Sequence, residues 1–292
     1  MSREVGSPPQ HALTIDVEDW FHDDWRPDRG VDWDRLPSTL SADVGLLLEL
    51  LAAAGSRATF FVLGDVAARE PALVRRIVAA GHEIASHGYR HRSVGTWLRR
   101  EFRADVERSL RLLEDQTGAK VHGYRAPYFS IKAGVRWPTE VLAELGVTYD
   151  SSVLPIDRPP GLELVSPRAP YRLASGIWEV PVAVNRYGWW NLPLLGGFAL
   201  RTLPLRFVDT RLVEFNLEVG PAVVHVHPWE LDEQGPEPQS VSVAVRWLKR
   251  LGRRRLPDKL GGLLGAHSFV SIARAFPEVG AEPTQRHDSP SA

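Results

Sequence analysis

Four short stretches of the sequence concentrate side chains that bind metals, move protons or hold anions. TIDVEDW places Asp16, Glu18 and Asp19 at the end of an apolar run, where carboxylates are costly unless paired, hydrated or bound to a cation. SHGYRH holds His87 and His91 at i, i+4, which on a helical turn puts both imidazoles on one side, within reach of one ion. A carboxylate from another strand would complete a facial His-His-carboxylate site. RAPYFS carries Arg125 just before Ala126 and Pro127, with Tyr128 following, so a rigid turn can hold the guanidinium against a carboxylate bidentately. HVHPWE ends in His225 and His227. Either can act as a general acid, and a period of two puts both on one face without choosing between them. Asp150 in YDSS completes an inventory that suits a metal hydrolase.

Strand alternation puts Asp16 and Glu18 on one face, whereas a bend after Val17 would substitute Asp19. Asp16, embedded in the strand, reads as functional. Glu18 and Asp19 could equally cap a loop or pair with arginines.

These residues need strands that end together. HALTIDV (11–17), ATFFVLG (58–64), HEIASHG (82–88), VHGYRAP (121–127) and VTYDSSV (147–153) read as strands with polar or turn-forming ends. Between them, Leu40, Val44, Leu47, Leu48 and Leu51 form an apolar stripe that stops at Gly55. Phe102, Val106, Leu110 and Leu113 do the same before Gly118, and shorter helices start near Pro71 and Pro138. This is the rhythm of βα units, whose catalytic groups gather at the C-terminal ends of parallel strands. After a proline-rich loop over 155–176, strands return at 177–184 and 221–230, followed by a basic helical stretch over 240–255. The expected organisation is a flexible N-terminus over 1–10, one domain over 11–276 with a helical extension from about 231, and a flexible tail over 277–292.

Composition narrows the partners. Of 292 residues, 43% are apolar and 24% charged, which fits a globular protein and excludes a chain disordered throughout. A formal charge of -1 gives no global attraction for nucleic acid, so recognition must be local. The absence of cysteine removes disulfides, thiolate zinc sites, iron-sulfur clusters and cysteine nucleophiles together. The N-terminus lacks the apolar stretch of a signal peptide, and the apolar run 188–200 is too short and proline-broken to span a bilayer. Cytoplasmic residence is the expectation. The run KRLGRRR, with Lys249, Arg250, Arg253, Arg254 and Arg255, reads as a solvated helix face or as a weak peripheral contact with an anionic membrane. Trp189, Trp190, Trp229 and the loop near Gly196 offer flat apolar faces for a sugar ring.

Taken in order, the motifs resemble those of the polysaccharide deacetylases of carbohydrate esterase family 4, the NodB-homology domain, over roughly residues 11–230. Thr14, Ile15 and Asp16 are similar to the start of the family's Thr-Phe-Asp-Asp motif, and HGYRH to its His-(Ser/Thr)-x-x-His motif. Arg125 to Tyr128 match Arg-x-Pro-Tyr in full, Asp150 resembles the fourth-motif aspartate, and Val226 with His227 resembles the fifth motif. TIDVEDWFH, GHEIASHGYRH, GYRAPYFSI, YDSSVLP and HPWELD look most like the subfamily of exopolysaccharide and exosortase (PEP-CTERM) loci. Val17 stands where most of the wider family has a metal-binding aspartate, and Gly88 replaces Ser or Thr.

The resemblance implies a distorted, incomplete (β/α) barrel that removes N-acetyl groups from an amino sugar or polysaccharide. It implies a divalent metal, zinc first with cobalt or nickel as alternatives, held by His87, His91 and either Glu18 or Asp19, with an Asp-x-Asp variant favouring Glu18. Asp16 would act as base oriented by Arg125, and a backbone amide near Tyr128 would meet the oxyanion. His227 would act as acid held by Asp150, with His225 as its substitute. Two other readings remain: an allantoinase-like amide hydrolase on the same fold, and an inactive carbohydrate-binding protein.

Overall fold

The computed structural model describes residues 9–22, 33–132, 134–156, 166–188, 190–236 and 242–280. Its first half runs β1 (Gln10–Val17), α1 (Leu40–Ala53), β2 (Thr59–Val62), α2 (Gly64–Arg69), α3 (Pro71–Ala79), β3 (Glu83–Ser86), α4 (Arg99–Thr117), β4 (Gly123–Tyr124), α5 (Trp137–Glu144) and β5 (Tyr149–Asp150). The second half runs β6 (Tyr171–Arg172), β7 (Trp178–Glu179), β8 (Asn185–Tyr187), β9 (Trp190–Leu192), α6 (Gly197–Thr202), α7 (Leu205–Glu218), β10 (Val223–Val226), α8 (Val243–Arg250), α9 (Leu256–Ala266), β11 (Ser268–Val270), α10 (Ile272–Ala275) and α11 (Pro277–Gly280).

The main sheet has the order β10-β1-β2-β3-β4-β5-β7-β6, parallel except for the last pair, with β11 joining β1. Irregular chain, not a strand ladder, leans across the gap between its ends. The amide of Ala183, beyond β7, donates to Val223 O of β10 at 3.0 Å, and Gly196 bridges His225. The result is the distorted, incomplete (β/α) barrel expected from the alternation of strands and helices.

Period-two alternation sorts the side chains. Leu13, Ile15 and Val17 of β1, with Phe60, Val62, Val224 and Val226, pack outward against the buried stripes of α1 (Leu40, Val44, Leu47, Leu51) and α4 (Phe102, Val106, Leu110, Leu113). Ala12, Phe61, Ala85, Tyr149, Val180 and Val223 form a second apolar cluster with Ile272, Phe276 and Val279. Thr14 and Asp16, next in the Ala12 register, lie deeper along the same strand face, and the polar strand ends follow. Pro71 opens α3, and Gly118 at φ 67 ends α4, as the sequence pattern requires.

The C-terminal region is more than a helical extension. β11 pairs with Gln10 to Ala12 of β1 while β2 pairs with Thr14 to Val17, so the last strand fills the sheet where β2 has not begun. The packed chain also continues past residue 276. Val279 of α11 is buried, and Val279 O accepts from Thr148 Oγ1 at 3.1 Å. SFV is too short to signal a strand against its helical flanks, and only pairing with β1 decides it. Residues 1–8 and 281–292 lie outside the described residues. No helix among the described residues is long and apolar enough to cross a membrane.

Leu47 is fully buried between α1 and the sheet. Leu47→Ala is expected to lower unfolding stability by about 3 kcal/mol through lost transfer energy and a residual cavity. Urea titration should show a lower midpoint with an unchanged slope.

Candidate active site

Strand ends bring the sequence motifs together around one fully buried guanidinium. Arg125 Nη1 donates to Asp16 Oδ1 at 2.7 Å and to Thr14 Oγ1 at 2.9 Å. Its Nε donates to Ser151 O at 3.0 Å and its Nη2 to Ser151 Oγ at 2.9 Å. Its charge also lies 4.1 Å from the centre of the Phe61 ring. The bidentate grip on a carboxylate expected from RAPY is absent, because Thr14 and Ser151 take the other donors. Burial pushes the Asp16 carboxyl up, yet Arg125, His87 and His227 outweigh it and hold the pKa below its usual value. Asp16 is thereby an ionised carboxylate with one oxygen anchored.

Glu18, His87 and His91 form a second cluster, with one candidate ligand atom from each lying within 4.8 Å of the others. Glu18 Oε2 is 2.5 Å from His91 Nε2 and 3.9 Å from His87 Nε2. His87 Nδ1 donates to Arg125 O, and His91 Nδ1 donates to His22 O, each at 2.8 Å. A carbonyl can only accept, so each Nδ1 carries its proton, and Nε2 is the ring atom that each histidine turns toward Glu18. Burial lowers the His87 pKa to about 4, while His91, His227 and His87 hold Glu18 well below its usual range against burial. Two imidazole nitrogens and a carboxylate oxygen converging under these conditions suit a divalent cation.

Of the two carboxylates left open by the sequence, the structure brings Glu18 to the histidines. Asp19 turns the other way, its Oδ1 accepting from the amides of Trp20 (2.9 Å) and Thr39 (3.5 Å) at the start of α1. Burial pushes its pKa up to about 6. The loop between His87 and His91 is held by Asp105 of α4, which accepts from the amides of Tyr89 (2.8 Å) and Arg90 (3.0 Å). Gly88 adopts φ 76, and a Cβ there would sit 3.1 Å from Asp105 Oδ2. This accounts for glycine at a position where Ser or Thr was the expectation.

His227 closes the cleft opposite. Its Nε2 lies 3.8 Å from Asp16 Oδ2 and 3.6 Å from Glu18 Oε1, and its ring stacks on Trp229 at 5.3 Å. Trp229 Nε1 donates to Glu18 Oε1 at 3.3 Å. The carboxylate that holds this imidazole is Glu230, whose Oε2 is 3.2 Å from Nδ1, and not Asp150. Burial disfavours the charged ring, but the hydrogen bond to Glu230 and the charges of Glu18 and Asp16 outweigh it and push the pKa up to about 10. Arg201 Nε donates to Glu230 Oε1 at 3.1 Å. A Cβ at Gly197 would overlap the Glu230 carboxylate, so that glycine makes room for it. His225 is partly buried against Phe129 and Gly196, and loss of solvent lowers its pKa to about 4.

YDSS has a different task from the expected one. Ser151 holds Arg125, Ser152 Oγ accepts from the Ala126 amide at 2.7 Å, and Asp150 Oδ1 accepts from Ser152 Oγ. Asp150 thus fixes the RAPY turn. Its neighbour is Glu179 of β7. Burial raises both carboxyls, Asp150 to about 7 and Glu179 well above its usual value, so the pair retains a proton. Tyr128 and Phe129 follow with φ 59 and 48, a strained conformation for aromatic residues. The Tyr128 ring packs on His91 at 4.5 Å. Sequence reasoning assigned no role to His22, Asp105, Ser151, Glu179, Arg201 or Glu230. Only Glu230, three residues after His227 in HPWE, left a readable signal. Trp190 is half exposed on the β8–β9 hairpin, and Trp189 lies outside the described residues.

Two outcomes follow from this geometry. Gly88→Ser is expected to strain the loop between His87 and His91 and lower metal affinity roughly 10-fold, measured by competition with a chromophoric chelator. For the acid pair, a raised folded-state pKa means its contribution to stability is complete below about pH 4 and is lost as pH rises through about 7. Glu179→Gln should flatten that decline, measured as urea midpoints from pH 4.5 to 8.

Residues 31–149 match the family model described as polysaccharide deacetylase, and residues 151–277 match a domain of unknown function, DUF3473. The chain is 39% identical over 85 residues to a chitooligosaccharide deacetylase of Sinorhizobium fredii, covering 28% of this chain and 39% of the relative. It is 28% identical over 147 residues to a peptidoglycan deacetylase of Helicobacter pylori, covering 49% of each. The chain thus spans less than half the length of either curated relative. A solved Mycobacterium smegmatis structure, assigned as a polysaccharide deacetylase, superposes with a TM-score of 0.66 at 25% identity over 96% of this chain and 93% of that one. Family model, relatives and fold thus agree in likeness: residues 31–149 match the polysaccharide deacetylase model, the matched relatives are named as chitooligosaccharide and peptidoglycan deacetylases, and the fold is that of the solved Mycobacterium smegmatis structure.

Proposed function

We propose that the protein is a divalent-metal-dependent hydrolase that removes the acetyl group from an N-acetylated amino sugar, in the making of an exopolysaccharide or other cell-surface glycan. The observation that carries this reading is the Glu18, His87 and His91 cluster set against an ionised Asp16 on one side and a charged His227 on the other. The sugar assignment draws on relatives named for chitooligosaccharides and peptidoglycan. The exopolysaccharide reading draws on the resemblance of TIDVEDWFH, YDSSVLP and HPWELD to that subfamily. A metal-free amide hydrolase would have no use for three converging metal-type donors. A binding protein would have none for so many buried charges.

Held by His87, His91 and Glu18, a divalent metal, zinc first with cobalt or nickel as alternatives, supplies Lewis acidity and lowers the pKa of water. Asp16 takes the proton of the attacking water. Arg125 keeps that carboxylate charged before attack and fixed in place by one oxygen. The main-chain amide at Tyr128 meets the developing oxyanion. His227 gives its proton to the departing amine, and Glu230 holds the ring in orientation. Acetate and the free amino sugar leave, and the balance is that of amide hydrolysis.

His87→Ala is expected to lose both bound metal and acetate release from N-acetylglucosamine oligomers. Asp16→Asn should retain metal while turnover falls at least ~100-fold. Elemental analysis paired with acetate release before and after chelation measures both. Wild-type metal content in His87→Ala would sink the ligand assignment.

A further inference from the structure

One helix beside the cleft is turned inside out. No residue of α8 is buried, and Val243, Trp247, Leu248 and Leu251 are 72%, 63%, 44% and 37% exposed. At 100° per residue, Val243 and Trp247 form one stripe that Leu251 continues at the C-cap, with Ala244 and Leu248 beside it. Arg246 and Lys249, on the opposite side of the wheel, are the better covered residues of the helix. Lys249 Nζ lies 5.2 Å from the centre of the Trp229 ring. A surface helix of a globular protein packs its apolar stripe inward, whereas α8 gives that stripe to solvent.

This orientation is fastened, not incidental. The buried Arg201 donates through Nη1 to the carbonyls of Leu248 (3.1 Å), Lys249 (2.8 Å) and Leu251 (2.5 Å), while its Nε holds Glu230. Arg253 Nε donates to Lys249 O at 2.9 Å, and Ser242 Oγ caps the first turn. Phe198, half exposed, lies against the Arg201 guanidinium and extends the apolar border.

Charge points to the occupant. From Val243 to Pro257 the chain holds Arg246, Lys249, Arg250, Arg253, Arg254 and Arg255 and no acidic residue; of these Arg253 is buried, Arg254 Nε lies 4.0 Å from Glu233, and Arg250, Arg254 and Arg255 reach the surface. Under one flank of α8 runs a cleft of about 700 Å³ with Trp20, Pro37, Pro236, Val243 and Trp247 along it, and Arg246 and Arg250 beside them. An apolar stripe with a tryptophan, bordered by cations, is the pattern of a helix lying in the headgroup region of an anionic bilayer. A two-fold contact with a second copy would set these cations against their own counterparts.

We propose that the apolar stripe of Val243 and Trp247 on α8, continued by Leu251 at its C-cap, docks the protein on an anionic lipid surface, holding the cleft wall of Trp229 and His227 beside the membrane. A glycan presented at that surface is then within reach without leaving it. The proposal goes beyond the deacetylase reading and has its own readout.

The test is co-sedimentation of the full chain with vesicles of phosphatidylcholine alone or with about 30% phosphatidylglycerol. Anionic vesicles should bind at least ~10-fold more strongly than neutral ones, and added salt should weaken binding. Trp247→Glu with Leu248→Glu should lower that affinity at least ~10-fold, with circular dichroism and melting temperature unchanged. Arg254→Glu with Arg255→Glu should weaken it less. Absence of binding to anionic vesicles, or equal binding by the Trp247/Leu248 variant, overturns the proposal. So does a dimer in sedimentation velocity that the same variant dissolves, since the stripe would then be covered by a second copy. Acetate release from dissolved oligomers is measured separately, so failure of the deacetylase reading leaves the vesicle result standing.

Discussion

The ion pair between Arg125 and Asp16 organises the centre of the molecule. A guanidinium with no solvent exposure cannot shed its charge, and every donor left without a partner would add to the cost of burying it. The strand ends meet that demand from two sides: Thr14 and Asp16 from β1, and Ser151 from the segment after β5. The Arg125 carbonyl in turn fixes the tautomer of His87. One residue thereby sets the charge of Asp16 and the orientation of a metal-type donor.

The DVED sequence shows how the point where a strand stops decides which carboxylate meets the histidines. β1 stays extended through Val17, whose side chain joins the outward core with Ile15 and Leu13. A carboxylate at residue 17 would point into hydrocarbon. The next inward residue is Glu18, and its Oε2 meets His91 while its Oε1 accepts from Trp229. Asp19, past the bend, is committed to the start of α1.

The far wall of the cleft depends on a relay of buried charge. His227 is held by Glu230, Glu230 by Arg201, and Arg201 by the carbonyls at the end of α8. Each charged member is satisfied by the next, which makes the low dielectric an advantage, since opposite charges attract more strongly there. The relay also ties the posture of an exposed helix to the His227 side of the cleft.

The sequence by itself determined the alternation of strands and helices, the apolar stripes of α1 and α4, and the gathering of Asp16, His87, His91, Arg125 and His227 at strand ends. These are local signals: period two, period 3.6, and polar residues at the ends of apolar runs. Which carboxylate meets the histidines, which residue holds His227, and what Asp150 does were decided by tertiary structure. Each depends on where a strand stops or which distant segment faces it. Asp150 and Glu230 are similar acids near similar turns, but Glu230 lies one 3-10 turn from His227 while Asp150 lies under Ser152 beside Glu179. β11 and the outward stripe of α8 follow the same rule. A strand of three residues and the side of a helix that meets solvent are fixed only by what packs against them.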